Sequence, residues 1–271
     1  MSRWDVAGIP KNLDGVPVQV VVTGKLYAWG KPVNPGVKPP KDEIDPTARF
    51  DRPVPIGVST GHPDITAGTI GCRVTDGVYF YALSNNHVYA NENSASISDV
   101  VLQPGTYDGG TIANDAIGTL DDFEQIYFDG SDNTIDAAIA FSSKENLDNA
   151  TPADGYGTPK STTIQAEVNQ PVKKYGRTTG LTKGRVYGIN ATVDINYNSG
   201  VARFVSQIII TPGSFSAGGD SGSLVVIDGK GRTKGDDRKA VGLLFAGSDL
   251  ITIANPISEV LDRFIVTIDG D

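Results

Sequence analysis

The chain has little cysteine, histidine or methionine and no long apolar run. Only one of its 271 residues is cysteine, Cys72, so no disulfide can form within the chain. Small secreted domains lean on such bridges, and doing without them points to a reducing compartment. The opening residues, Met1-Ser-Arg-Trp-Asp-Val-Ala-Gly-Ile-Pro10, lack the apolar core of a signal peptide, and no stretch is apolar for long enough to span a bilayer. The expectation is a cytoplasmic protein with no membrane partner. A formal net charge of −9 also argues against a nucleic-acid partner. The one basic concentration, residues 173–185, reads as a solvated face. No group of side chains has metal-ligand spacing, and the acidic Phe128-Asp-Gly-Ser-Asp-Asn-Thr134 lacks the spacing of a calcium loop, so neither metal nor cofactor is expected. Cys72 reads as a small buried hydrophobe rather than a reactive thiol.

What is present is glycine (32), proline (16) and short runs rich in Val, Ile and Thr, the composition of an all-β fold. Strands are expected at Val18-Gln-Val-Val-Val-Thr23, Ala166-Glu-Val168, Ala191-Thr-Val-Asp-Ile195, Phe204-Val-Ser-Gln-Ile-Ile-Ile210 and Leu224-Val-Val-Ile227. Near the end, Ile257, Val260, Leu261 and Phe264 follow Pro256 at helical spacing, which predicts a short C-terminal helix. Residues 1–60 stand apart as one strand followed by the Pro-rich, charged segment 31–46. A single strand is no domain, so this extension is expected to pack on the body of the protein, residues 61–271. No solenoid-like repeat occurs.

The segment Phe215-Ser-Ala-Gly-Gly-Asp-Ser-Gly-Ser223 carries the chemistry. A serine between glycines sits on a tight turn, where backbone N–H groups can converge on a reacting carbonyl oxygen. Such a hydroxyl needs a base. The chain offers two histidines: His62 in the turn-like Gly-His-Pro-Asp, and His87 at the end of Val78-Tyr-Phe-Tyr-Ala-Leu-Ser-Asn-Asn-His-Val-Tyr-Ala90. Imidazole titrates near neutrality and can take and return a proton. Asp136 lies in the apolar Asn133-Thr-Ile-Asp-Ala-Ala-Ile-Ala-Phe141, and a carboxylate buried there needs a partner. Asp99, Asp115 and Asp132 compete with it from more polar surroundings.

These boxes resemble those of chymotrypsin-like serine peptidases, in that family's His, Asp, Ser order. Gly-Asp-Ser-Gly-Ser is similar to its Gly-Asp-Ser-Gly-Gly box, Ser-Asn-Asn-His to its Thr-Ala-Ala-His box, and Asp-Ala-Ala-Ile to its Asp-Ile-Ala-Leu box. The wording of Lys173-Lys-Tyr-Gly-Arg-Thr-Thr-Gly-Leu-Thr-Lys-Gly-Arg-Val186 resembles the bacterial streptogrisin and α-lytic branch, and that of intracellular trypsin-like bacterial proteins related to the plant narrow-leaf proteins.

The resemblance implies two perpendicular six-stranded β-barrels, about residues 61–165 and 166–271, with the C-terminal helix packed on the second. It implies a catalytic triad of His87, Asp136 and Ser221, and an oxyanion hole from the N–H groups of Gly219 and Ser221. The substrate backbone would pair antiparallel with the segment Ala240-Val-Gly-Leu-Leu-Phe-Ala-Gly-Ser248. Phe215 would form the pocket base, with Phe245, Ala246, Gly247 and Thr252 about it, which favours a small or medium apolar side chain over Lys or Arg. Asp220 would pair with Lys174 or Arg177. The activity implied is a serine endopeptidase acting on protein or peptide, assembled on folding without zymogen cleavage. Two departures stand out: Phe245 replaces a serine that in the family hydrogen-bonds the triad aspartate, and two asparagines precede His87 where small residues are usual. Asp136 would then be held by other donors, such as backbone N–H groups. The alternative is a catalytically silent scaffold of the same fold that binds a protein partner. The oligomeric state is not read from the residues.

Overall fold

The computed structural model describes residues 12–13, 16–18, 20–28 and 44–271. Most of the structure is β, in two main sheets. The first runs in the order Thr267–Ile268, Cys72–Thr75, Phe80–Ser84, Ala138–Ser142, Ala116–Phe123, Val100–Leu102. Residues 81–84 are buried without alternation, as in a strand covered on both faces. The second sheet is built on Pro171–Gly176, Gly180–Asn196, Val201–Thr211, Leu224–Ile227, Ala240–Gly247 and Thr252–Pro256. Gly180–Asn196 pairs with both Pro171–Gly176 and Val201–Thr211, so the hydrogen-bonded order of these six strands returns to its start.

The long ribbon of Gly180–Asn196 and Val201–Thr211 reaches the segment that carries His87. Its register shifts three times between Val186 and Val193, with Asn190 and Ser206 at positive φ (54° and 63°). Bulges of this kind bend a ribbon and increase its twist. The tip closes with the Tyr197 N–H donating to Gly200 O at 2.8 Å. It docks on the segment after His87, where the Ser199 N–H donates to the Glu92 carboxylate at 2.8 Å.

The largest apolar cluster joins the two sheets. Val74, Leu83 and Ile139 of the first sheet meet Leu224, Val226 and Leu243 of the second. The expected helix spans Ile257–Phe264 and buries Ile257, Val260, Leu261 and Phe264. Its backbone runs beside the second sheet, but these side chains enter the shared cluster, so it does not belong to the second sheet alone. Cys72 lies in the same cluster, and burial pushes its thiol pKa up.

Several expectations are corrected. The described residues of the run 18–23 form no strand; after the short pair Asn12–Leu13/Val16–Pro17, the next pairing is at Tyr27–Ala28, where the chain turns onto the second sheet. Residues 166–168 are not a strand, because they approach a turn in which the Gln170 N–H donates to Glu167 O. Thr267–Ile268 returns to pair with Cys72–Thr75, so the C-terminus completes the first sheet. Residues 31–43 of the Pro-rich segment lie outside the described residues, while Ile56 and Val58 beyond it are fully buried in the shared cluster.

Asp115, expected in a polar setting, is buried and takes two hydrogen bonds from Arg49 and two from Thr111. The Arg49 guanidinium holds its carboxyl below the usual carboxylate range. A depressed carboxyl stabilises the fold fully above the unfolded value of about 4 and loses that contribution as pH falls through the folded value. Denaturant midpoints should therefore drop on acidification below about pH 4, and Asp115→Asn should make that drop smaller. An unchanged acid dependence in Asp115→Asn would assign the effect to other carboxylates.

Candidate active site

Strand register brings histidine and aspartate together. Ala138 pairs with Ser84, so the residues just before the one and just after the other lie at the same end of the ladder. His87 is in the short helix Asn86–Tyr89 that follows, and its Nδ1 is 2.6 Å from Asp136 Oδ2. Both side chains are buried, Asp136 completely. A carboxylate only accepts, so the proton of a neutral imidazole sits on Nδ1 and Nε2 keeps its lone pair. That Nε2 is buried and has no hydrogen-bond partner among the described residues.

Asp136 is held from three directions. The His87 backbone N–H donates to Oδ1 at 3.2 Å, and the Tyr197 hydroxyl donates to Oδ2 at 2.8 Å. The Asp136 N–H donates to Asn255 Oδ1 at 2.6 Å, and Asn255 Nδ2 donates to Gln207 Oε1 at 3.3 Å. The backbone donor was expected; Tyr197, Asn255 and Gln207 were not. No motif marks Tyr197, which reaches the site only because the ribbon folds over it. Its ring stands edge-on to the His87 ring at 5.9 Å, and burial followed by the Asp136 charge pushes its hydroxyl pKa well up. The two unusual asparagines bond nearby backbone: Asn85 Nδ2 donates to Asp136 O at 2.7 Å, and Asn86 Nδ2 to Glu124 O at 2.6 Å.

Ser221 sits on a turn fixed between the short strand pair Ser59–Thr60/Gly68–Thr69 and the second sheet. The Thr69 N–H donates to Ser221 O at 2.8 Å, and the Gly222 N–H donates to Leu244 O at 2.8 Å. Gly219 and Gly222 have φ of 97° and 95°. A Cβ on Gly222 would lie 2.2 Å from Thr69 O and from Ser84 Oγ, so only glycine fits. The Gly219 and Ser221 N–H groups donate to no acceptor among the described residues. Ser221 Oγ donates to Phe245 O at 3.3 Å, and no hydrogen bond joins it to His87.

Asp220 accepts from the Ala217, Thr178 and Thr179 N–H groups and from the Thr179 hydroxyl, at 2.7 to 3.2 Å. Its ionic partner is Lys174, with Nζ 3.3 Å from Oδ2 and both side chains fully buried. Burial lowers the Lys174 pKa, and Asp220 offsets part of that shift. Arg177, the other candidate, does not pair with Asp220; its guanidinium turns to Asp108. An ion pair removed from water repays its desolvation only when the remaining donors and acceptors are satisfied, as they are here.

The expected pocket residues are enclosed. Phe215 is core rather than an open pocket base: it packs among Val172, Ile210 and Leu244. Phe245 packs on Phe204 with ring centroids 4.8 Å apart, and Thr252 Oγ1 lies 2.6 Å from Ser216 Oγ. Ala246 and Gly247 pair with Ala28 and Tyr27. His62 accepts from the Asp64 N–H at Nδ1 (3.1 Å) and meets Asp99 through Nε2 at 3.2 Å, while its backbone N–H donates to Val88 O at 3.0 Å.

This arrangement sits in a framework shared with solved serine proteases. A glutamic-acid-specific serine protease matches 79% of this chain and 100% of its own at 22% identity, with a TM-score of 0.55. Protease A of Thermobifida fusca matches 80% and 100% at 19% identity (TM-score 0.55), and the chymotrypsin of Cellulomonas bogoriensis 82% and 100% at 18% (TM-score 0.54). The chain has a trypsin-like fold. At such identities the likeness carries the fold and not the activity. Residues 155–252 of this trypsin-like chain match the family described as the Nal1 C-terminal domain. No curated protein sequence matches the chain. Among the described residues no helix is long and apolar enough to cross a membrane.

Tyr197→Phe removes one hydrogen bond to a buried carboxylate. Hydrogen bonds to charged groups are worth about 1.5–3 kcal/mol, and equilibrium unfolding should show a loss of that size. A loss under about 0.5 kcal/mol would mean that the hydroxyl does not hold Asp136.

Proposed function

We propose that the protein is a serine endopeptidase that works through an acyl-enzyme on Ser221, in a cleft between two barrels formed by the two sheets. The observation that carries this reading is the buried His87–Asp136 pair, whose Nδ1–Oδ2 contact of 2.6 Å leaves Nε2 without a partner among the described residues. The closed pairing order of the second sheet and the serine-protease neighbours support the architecture. In the streptogrisin and α-lytic manner, the buried Lys174–Asp220 pair takes the role that a new N-terminal ammonium plays in zymogens, so no activating cleavage is needed.

In turnover the Ser221 hydroxyl leaves Phe245 O and gives its proton to His87 Nε2 as Oγ attacks a peptide carbonyl. Asp136 stabilises the imidazolium. The open N–H groups of Gly219 and Ser221 take the oxyanion, and the imidazolium then protonates the leaving amine. Water activated by His87 releases the acid and restores the serine. The substrate is a protein or peptide, and the compartment is the cytoplasm.

A fluorophosphonate probe at mildly alkaline pH should label the wild-type chain and not Ser221→Ala. Asp136→Asn should slow labelling by about 10⁴-fold, the loss expected when the imidazole tautomer is no longer fixed. A folded wild-type chain that takes no label would overturn the proposal in favour of a silent scaffold.

A further inference from the structure

The edge along which a substrate would pair already carries a strand of this chain. Ala28 lies opposite Ala246 and Tyr27 opposite Gly247, in antiparallel register on Ala240–Gly247. From Tyr27 to Ala28 the segment therefore advances toward Phe245, whose carbonyl accepts the Ser221 hydroxyl. An acyl donor lying on this edge would approach the nucleophile with the same polarity. The segment alternates: Leu26 and Ala28 are buried against Phe245, Ala246 and Phe204, while Lys25 and Tyr27 face out. It is pinned at two further points. Leu26 O accepts from both the Asn196 N–H (3.0 Å) and Asn196 Nδ2 (2.8 Å), and Thr23 O accepts from Ser248 Oγ. Upstream, Val20, Val21 and Val22 have no strand pairing and are exposed.

We propose that residues 23–28 are an intrasteric occupant of the peptide-binding edge, and that the preferred substrate is an extended peptide reproducing their in-out pattern. A small apolar residue faces Ala246 and a leucine-sized one lies two positions upstream. The proposal rests on the peptidase reading for its catalytic consequence, but peptide binding at the edge can be tested without it. A tethered strand competes at an effective concentration in the millimolar range, enough to exclude weakly binding peptides. Its ladder is only two residues long, so a better-matched peptide can displace it.

The test uses the full chain with Leu26→Asp, which places a charge in the apolar cluster, and Asn196→Ala, which loosens the Leu26 carbonyl without entering that cluster. In a Ser221→Ala background, a fluorescent peptide copying residues 20–28 should bind Leu26→Asp at least about tenfold more tightly than the parent, and Asn196→Ala by a smaller factor in the same direction. With Ser221 restored, inactivation by a peptidyl phosphonate carrying Leu-Tyr-Ala should accelerate to match, while a small alkyl fluorophosphonate, which needs no edge, should react within about twofold of wild type. Equal peptide binding by the parent and by both folded variants would overturn the inference. Gain of peptide binding with no phosphonate labelling in any variant would keep the edge assignment and defeat the peptidase reading.

Discussion

The Asp136 carboxylate is the constraint on which the rest depends. It is fully buried, and an isolated charge in such a place costs several kcal/mol. Its three acceptor contacts come from two places in the chain, the His87 turn and the Tyr197 tip of the long ribbon. Its own backbone N–H is taken by Asn255, on the last strand of the second sheet. Satisfying one charge therefore obliges both sheets, the bulged ribbon and the segment after Phe80–Ser84 to meet at one point. The same contacts fix which imidazole nitrogen holds the proton. Structural stability and chemical readiness rest on one set of hydrogen bonds.

The serine turn follows the same logic from the other side. Its carbonyl and the next amide are tied to Thr69, in a short separate strand pair, and to Leu244 of the second sheet. The neighbouring Asp220 is neutralised by the buried Lys174. Donors held in this way need no reorganisation to meet a negative charge placed before them. The two glycines at positive φ are part of that arrangement, since backbone from Thr69 occupies the space a side chain at Gly222 would need.

Exposed strand edges invite pairing with whatever extended chain is near. Here the edge of Ala240–Gly247 is met by residues 27–28, and the carbonyl of Phe245 lies one residue beyond the paired position. The placement of the N-terminal segment thus bears on the same atoms as the serine turn, so its docking and the accessibility of the site are one physical question.

The parts legible in the sequence were those governed by local chemistry. Leu224–Ile227 forms the strand read from its apolar run, and the four apolar residues of Ile257–Phe264 are the buried ones, because period and propensity act within a few residues. The burial of Asp136 was readable too, from the apolar residues on either side of it. The strand expected at 18–23 failed because β-branched residues favour extended backbone but cannot supply a partner; the partner edge is met only at Tyr27. Tyr197 and Asn255 lie 61 and 119 residues from Asp136, and no local pattern records such a distance. The choice of Lys174 over Arg177 was likewise settled by Asp108, which draws the guanidinium away. The sequence by itself determined which groups have the chemistry to exchange a proton and placed the strand Leu224–Ile227 and the helix Ile257–Phe264. Tertiary structure decided who holds the carboxylate, who neutralises Asp220 and what pairs with Ala246–Gly247, because hydrogen bonds and ion pairs depend on positions in space that only the folded ribbon brings together.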